Sequence, residues 1–160
     1  MAVVTVERLD HLGLMAEVIK ELGLIDMLDA RLAPDRQEEI TPGEAVAGMI
    51  LNGLGFANRP LSLTPQFFTN KPLDLLLRPG VRAEMFNRFK LGRTLDAVQA
   101  YGCDLLLSEL ALAGCAQESI EQRFHHLDTT SFSLSGDSVP ESDEHAIRIT
   151  HGYSKDLIMP

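Results

Sequence analysis

Cysteine is scarce in this chain: two residues, Cys103 and Cys115, in 160. They are not in CxxC spacing, which argues against a metal pair or a disulfide, and both read as buried free thiols on helices. A membrane-spanning run is also missing. The richest apolar stretch, DLLLSELALAGCA, is broken by Ser108 and Glu109 and is too short to cross a bilayer. The first residues, MAVVTVERLD, place no basic segment ahead of an apolar one, so they do not read as a signal peptide. These absences predict a cytoplasmic protein with no membrane partner. Positive charge is in short supply too. The chain has 14 Lys and Arg against 23 Asp and Glu, a net charge of −9, which on average repels a phosphate backbone.

What is present is ordinary for a soluble globular protein: 45% hydrophobic and 23% charged residues. The length suits one domain, or one domain and part of another, and allows roughly 70% of the unfolded surface to be buried. The charge is uneven. Lys71, Arg78, Arg82, Arg88, Lys90 and Arg93 face only Asp74 and Glu84 in the same stretch, whereas every charged residue from Thr94 to Gln122 is acidic. The plain reading of the basic cluster is a solvated face. The alternative is a local basic surface, with Arg82, Arg88, Lys90 and Arg93 as DNA contacts.

Most of the chain has helical periodicity. In LDHLGLMAEVIKELGLIDMLDARL, Leu14, Val18, Leu22 and Ile25 fall on one side and Leu28 and Leu32 continue the stripe. Gly23 divides this segment in two, because glycine costs about 1 kcal/mol inside a helix. APDRQEE reads as an exposed loop. TPGE is a strong helix start: Thr41 caps, Pro42 suits the first helical position and Glu44 completes a capping box. The helix that follows is apolar nearly all round, with small Ala45, Ala47, Gly48 and Gly53, and should be buried. Gly55 ends it. Prolines at 60, 65, 72 and 79 predict short helices in TPQFFTN, KPLDLLL and VRAEMFNRF. Residues 92–113 read as the longest helix, with Leu95, Val98, Leu105 and Leu112 toward the core and Gly114 as its stop.

The pattern then changes from period 3.6 to period two. Residues 124–134 and the run EHAIRITHGY alternate like strands around a Ser-, Asp- and Gly-rich loop, so a β-hairpin is expected. A helix-turn-helix drawn through TPQFFTN is disfavoured, because its second helix has no Lys or Arg and presents Phe67 and Phe68. His125 and His126 would point to opposite faces of a strand, and His145 and His151 are too far apart to chelate directly, so a histidine metal site is disfavoured. Asp128 shares a strand face with His126 and Thr130. Taken alone, it is one strand acid.

HHLDTTSFSLSG followed by ITHGYSKD resembles the start of the catalytic domain of DDE transposases of bacterial insertion sequences, in the insertion-sequence-4-like superfamily. VERLDHLGLMAEVIKELGLIDMLD, TPGEAVAGMILNGLGFANRPLSLTPQFF and LGRTLDAVQAYG are similar to the domain of unknown function at the N-terminus of those transposases. The resemblance runs from Val6 to Asp156. It implies a mainly α protein: a helical domain over residues 1–120, then a hairpin over 121–160 that begins an RNase H-like α/β domain. Asp128 maps onto the first acid of the Asp-Asp-Glu triad. That triad holds two Mg²⁺ or Mn²⁺ ions, which activate water or a DNA 3′-hydroxyl for in-line attack on a phosphodiester.

The family's second Asp and its Glu have no counterpart among these 160 residues. One carboxylate cannot hold two ions, so the chain alone is expected to bind neither and to be catalytically inactive. A frameshifted, early-stopped or trimmed transposase is the expected origin. The alternative is a non-catalytic helical module that contacts transposon ends or other subunits, with a homo-oligomer compatible with that role.

Overall fold

A computed structural model describes residues 6–34, 37–55 and 60–121. The chain divides into two units, Met1–Glu121 and Gln122–Pro160, and every described residue belongs to the first. The expected hairpin, the four histidines from 125 to 151 and Asp128 lie outside the described residues.

The described residues form seven α-helices: α1 Leu12–Glu21, α2 Leu24–Leu32, α3 Pro42–Leu54, α4 Thr64–Phe68, α5 Leu73–Leu76, α6 Arg88–Tyr101 and α7 Cys103–Gln117. Two 3₁₀ turns, Leu61–Leu63 and Ala83–Phe86, complete the path. The unit is thus helical, as the periodicity predicts. Gly23 adopts φ 60° between α1 and α2, a conformation glycine takes without steric cost, and so separates the two helices.

The central element is α3, which packs against α1, α2, α4 and α6. Its small residues allow this. Ala45 and Ala47 have no exposed surface, and Gly48 is buried where Phe86 crosses the helix. The predicted capping box is present: the Thr41 hydroxyl accepts from Glu44 N at 3.1 Å and Glu44 Oε2 accepts from Thr41 N at 2.8 Å. Gly55 caps the other end, as expected.

Phe67, Phe68 and Phe86 form the aromatic part of the core. The Phe67 and Phe68 rings meet edge to face at 4.9 Å, and Phe68 lies 4.8 Å from Phe86. Each fully buried ring contributes roughly 1.5–3 kcal/mol through removal from water. Phe67 and Phe68 therefore occupy the core and do not project as a recognition surface.

Five expectations are corrected. On α1 the buried residues are Leu12, Ala16 and Ile19, while Leu14 and Val18 are exposed. The helix is apolar on two sides, and only its neighbours decide which side is covered. The expected helix over 92–113 is two helices. Gly102 adopts φ 106° and ends α6, so α7 starts with a new rotational phase. Leu95, Leu105 and Leu112 are consequently exposed and Val98 is half-buried; Leu106 is the buried residue of α7. Gly114 does not stop α7, which continues to Gln117. The cysteines follow the same change of phase: Cys103 is exposed and Cys115 half-buried, so neither is a buried thiol.

Candidate functional site

The basic cluster between Lys71 and Arg93 is drawn together by the domain's own acids. Lys71 Nζ donates to Asp10 Oδ2 at 2.8 Å, and this contact holds the Asp10 carboxyl below its ordinary range. Arg78 donates from Nε to Glu44 Oε1, and from an Nη to Glu44 Oε2 at 3.1 Å and to the Glu39 carbonyl at 3.2 Å. Glu44 is almost fully buried, so this bidentate pair and the capping box satisfy a carboxylate that would otherwise be costly to desolvate. The Arg78 guanidinium is raised by the same contact.

The four residues nominated as DNA contacts have different surroundings. Lys90 is 4% exposed, and its Nζ lies 2.8 Å from Glu38 Oε2. Its charge is spent inside the fold. Arg82 pairs with Glu39 at 3.3 Å, with both side chains exposed. Such a surface pair is worth about 1 kcal/mol or less and opens readily. Arg88 is exposed, with its guanidinium carbon 4.7 Å from the centroid of the Phe89 ring. Arg93 is exposed at the edge of a small cleft that Glu38, Glu39 and Lys90 also line, and it makes no ion pair within 4.0 Å among the described residues. Arg88, Phe89 and Arg93 therefore share the outer face of α6, opposite Lys90, Leu91 and Thr94.

The N-terminus of α3 borders a groove of about 580 Å³ between α1, α2 and α5. Its floor is apolar, from Ala16, Ile19, Ile25 and Leu76; its lining carries five carboxylates and two cations. Asp29 Oδ1 accepts from Gly43 N at 2.6 Å and Asp74 Oδ1 from Gly80 N at 3.1 Å. Glu17 and Asp26 lie exposed at the rim. Sequence reasoning missed this site because its acids come from four helices, α1, α2, α3 and α5, each looking like a solvated face.

A second cluster joins α2, α6 and α7. Glu109 accepts from Arg31 Nε and, at 3.0 Å, from the Tyr101 hydroxyl, while Arg31 also donates to the Met27 carbonyl at 2.9 Å. Arg31 and Tyr101 lower the Glu109 carboxyl below its ordinary range, and Glu109 raises the Tyr101 phenol. The arrangement fixes α7 across the break at Gly102. Leu105 and Leu112 stand exposed two turns apart on the same stripe of α7 as Glu109, and Leu107 is exposed on the other side of the helix.

Among the described residues no group of three or more His, Cys, Asp or Glu side chains is placed to hold a metal ion. The described residues thus supply no ligand set for a two-metal centre. No helix of the described residues is long and apolar enough to cross a membrane.

One comparison with known proteins bears on the helical unit. The family model described as Domain of unknown function (DUF4277) matches residues 4–112. The chain belongs to the DUF4277 family. The match covers α1 to α6 and ends within α7. No curated protein and no solved structure matches the chain.

Proposed function

We propose that this chain is the N-terminal part of a DDE-type insertion-sequence transposase, and that its helical unit serves subunit assembly. Membership of DUF4277 is consistent with a transposase-associated domain. The order and spacing of TPGEAVAGMILNGLG, LGRTLDAVQAYG and HHLDTTSF support the wider family reading. In that reading Asp128 is the first ligand of the Mg²⁺ or Mn²⁺ pair that the intact enzyme uses. Asp128 and the metal chemistry belong to the parent enzyme and not to the helical unit.

The observation that favours assembly over DNA binding is the pairing of the cations. Lys71, Arg78, Arg82 and Lys90 all have carboxylate partners within the unit, while Leu105 and Leu112 are exposed together on one face of α7. Phosphate contact needs cations that are not already neutralised. Exposed large apolar side chains that adjoin on one helix face mark a surface that binds protein.

Contact with transposon ends remains the second reading, because Arg88, Phe89 and Arg93 are exposed together. An aromatic ring beside arginines can stack on an unpaired base. A shift assay with the matching terminal repeats separates the two readings. The assembly role predicts no complex at low salt. A complex that weakens steeply with salt and is lost in Arg88→Ala/Arg93→Ala supports the second reading. Metal-dependent nicking of the same DNA, abolished by Asp128→Ala, would overturn the assignment of this chain as catalytically inactive.

A further inference from the structure

The described unit carries two exposed surfaces of opposite character. One is the outer face of α6, where Arg88, Phe89 and Arg93 project together. Phe89 is 62% exposed, an unusual position for a ring unless something covers it. Gly92 lies between them on the same face, and a Cβ placed there would meet nothing within 4 Å. The patch is therefore flat and open along one turn, with Asp96 bounding it a turn later. The other surface is the groove between α1, α2 and α5. It combines an apolar floor with three more carboxylates than cations, and its volume exceeds what one aromatic ring needs.

We propose that the groove receives the Arg88–Phe89–Arg93 patch of a second copy of this chain. In this contact the phenyl ring covers the apolar floor, and the two guanidinium groups meet the rim carboxylates Asp26 and Glu17, the latter exchanging its exposed pair with Lys20, 3.6 Å away, which is weak enough to open. Charge complementarity is the argument for this occupant. The groove calls for an aromatic or aliphatic group flanked by cations, and the described unit displays that combination on its own surface. The arginines are suited to the role because both are exposed, neither lies within 4.0 Å of a carboxylate oxygen among the described residues, and each can form a bidentate pair with a rim acid. The ring already stacked on Arg88 adds a pre-ordered anchor, the kind of residue that dominates protein interfaces. An acidic groove on one copy and a basic patch on another also steer their encounter, so the contact weakens as salt rises.

The proposal rests on the reading of the helical unit as an assembly module, and it can fail separately from it. The experiment uses the full chain in two charge-reversed forms, Arg88→Glu/Arg93→Glu and Glu17→Lys/Asp26→Lys, with sedimentation velocity as the readout and circular dichroism as the check of folding. All four positions are exposed, so both forms should fold. If one does not, Arg88→Gln/Arg93→Gln or Glu17→Gln/Asp26→Asn replaces it. Expected is association of the parent chain at low salt and a monomer for each variant alone. An equimolar mixture of the two variants should associate again, because the groove of the first and the patch of the second are intact. Phe89→Ala should weaken association of the parent chain at least tenfold. A mixture that stays monomeric overturns the proposal, as does a parent chain that is monomeric at every concentration. If the parent associates and neither variant changes that, assembly stands and this contact falls.

Discussion

Gly48 is the point at which α3 and the aromatic core come closest, and adding one methyl group there tests the packing account. A Cβ built at Gly48 would fall on the edge of the Phe86 ring, within 2.7 Å of Cδ1. The ring cannot retreat easily. Phe86 has no exposed surface, and the Phe68 ring sits 4.8 Å behind it. Overpacking of this kind costs about 1–3 kcal/mol, and the rigidity of the site places it in the upper half of that range. Against this, replacing glycine by alanine within a helix gains about 1 kcal/mol. Gly48→Ala should therefore destabilise the protein by about 1–2 kcal/mol. Phe86→Leu removes the ring edge, and in that background Gly48→Ala should be neutral or stabilising by up to about 1 kcal/mol. Urea unfolding of the parent, the two single variants and the double variant measures this coupling, with the midpoints moving and the slopes unchanged. The reasoning is refuted if Gly48→Ala is as stable as the parent, or if its cost is the same with Leu at position 86.

Glu44→Ala should cost about 2–4 kcal/mol in urea unfolding, because it leaves Arg78 and Thr41 N without their acceptor; Thr41→Ala removes only the cap and should cost about 1 kcal/mol. Glu109 has a folded-state pKa below its ordinary value, so its contribution is present above the ordinary glutamate pKa of about 4.3 and lost as pH falls through the lower folded value. Unfolding midpoints taken from pH 6 down to about 3 should fall less steeply for Glu109→Gln than for the parent. Tyr101 has the opposite sign: its raised pKa adds stability below about pH 10 that is lost as pH rises through the folded value, and Tyr101→Phe should remove that alkaline loss. Lys90→Met should lower stability by about 1–2 kcal/mol by stranding Glu38, whereas Arg88→Ala and Arg93→Ala should stay within about 0.5 kcal/mol of the parent.

Local chemistry was the most legible part of the fold. TPGE specified the cap of α3, Gly23 the break between α1 and α2, and the prolines the short helices from Thr64 to Leu76. These features depend on residues within one turn of each other. The buried faces were less legible, because α1 and α7 are apolar on more than one side and tertiary neighbours choose which side to cover. A single backbone event, the positive φ at Gly102, moved Leu105 and Leu112 from expected core to surface. The basic cluster was visible as composition, but its neutralisation was not. Lys71 meets Asp10, and Lys90 meets Glu38, across 61 and 52 residues of chain, and no periodicity encodes such pairs. The groove was hidden for the same reason, since its apolar floor and acidic rim come from helices that are separate in sequence.

The central claim is that the helical unit of this DUF4277 protein joins subunits and does not read DNA. Sedimentation velocity of the full chain over a broad concentration range, at low and high salt, tests it most directly. The account predicts a weight-average mass that rises above the monomer with concentration at low salt and falls back toward it as salt increases. A chain that remains monomeric throughout, yet binds DNA with a steep salt dependence, would contradict it.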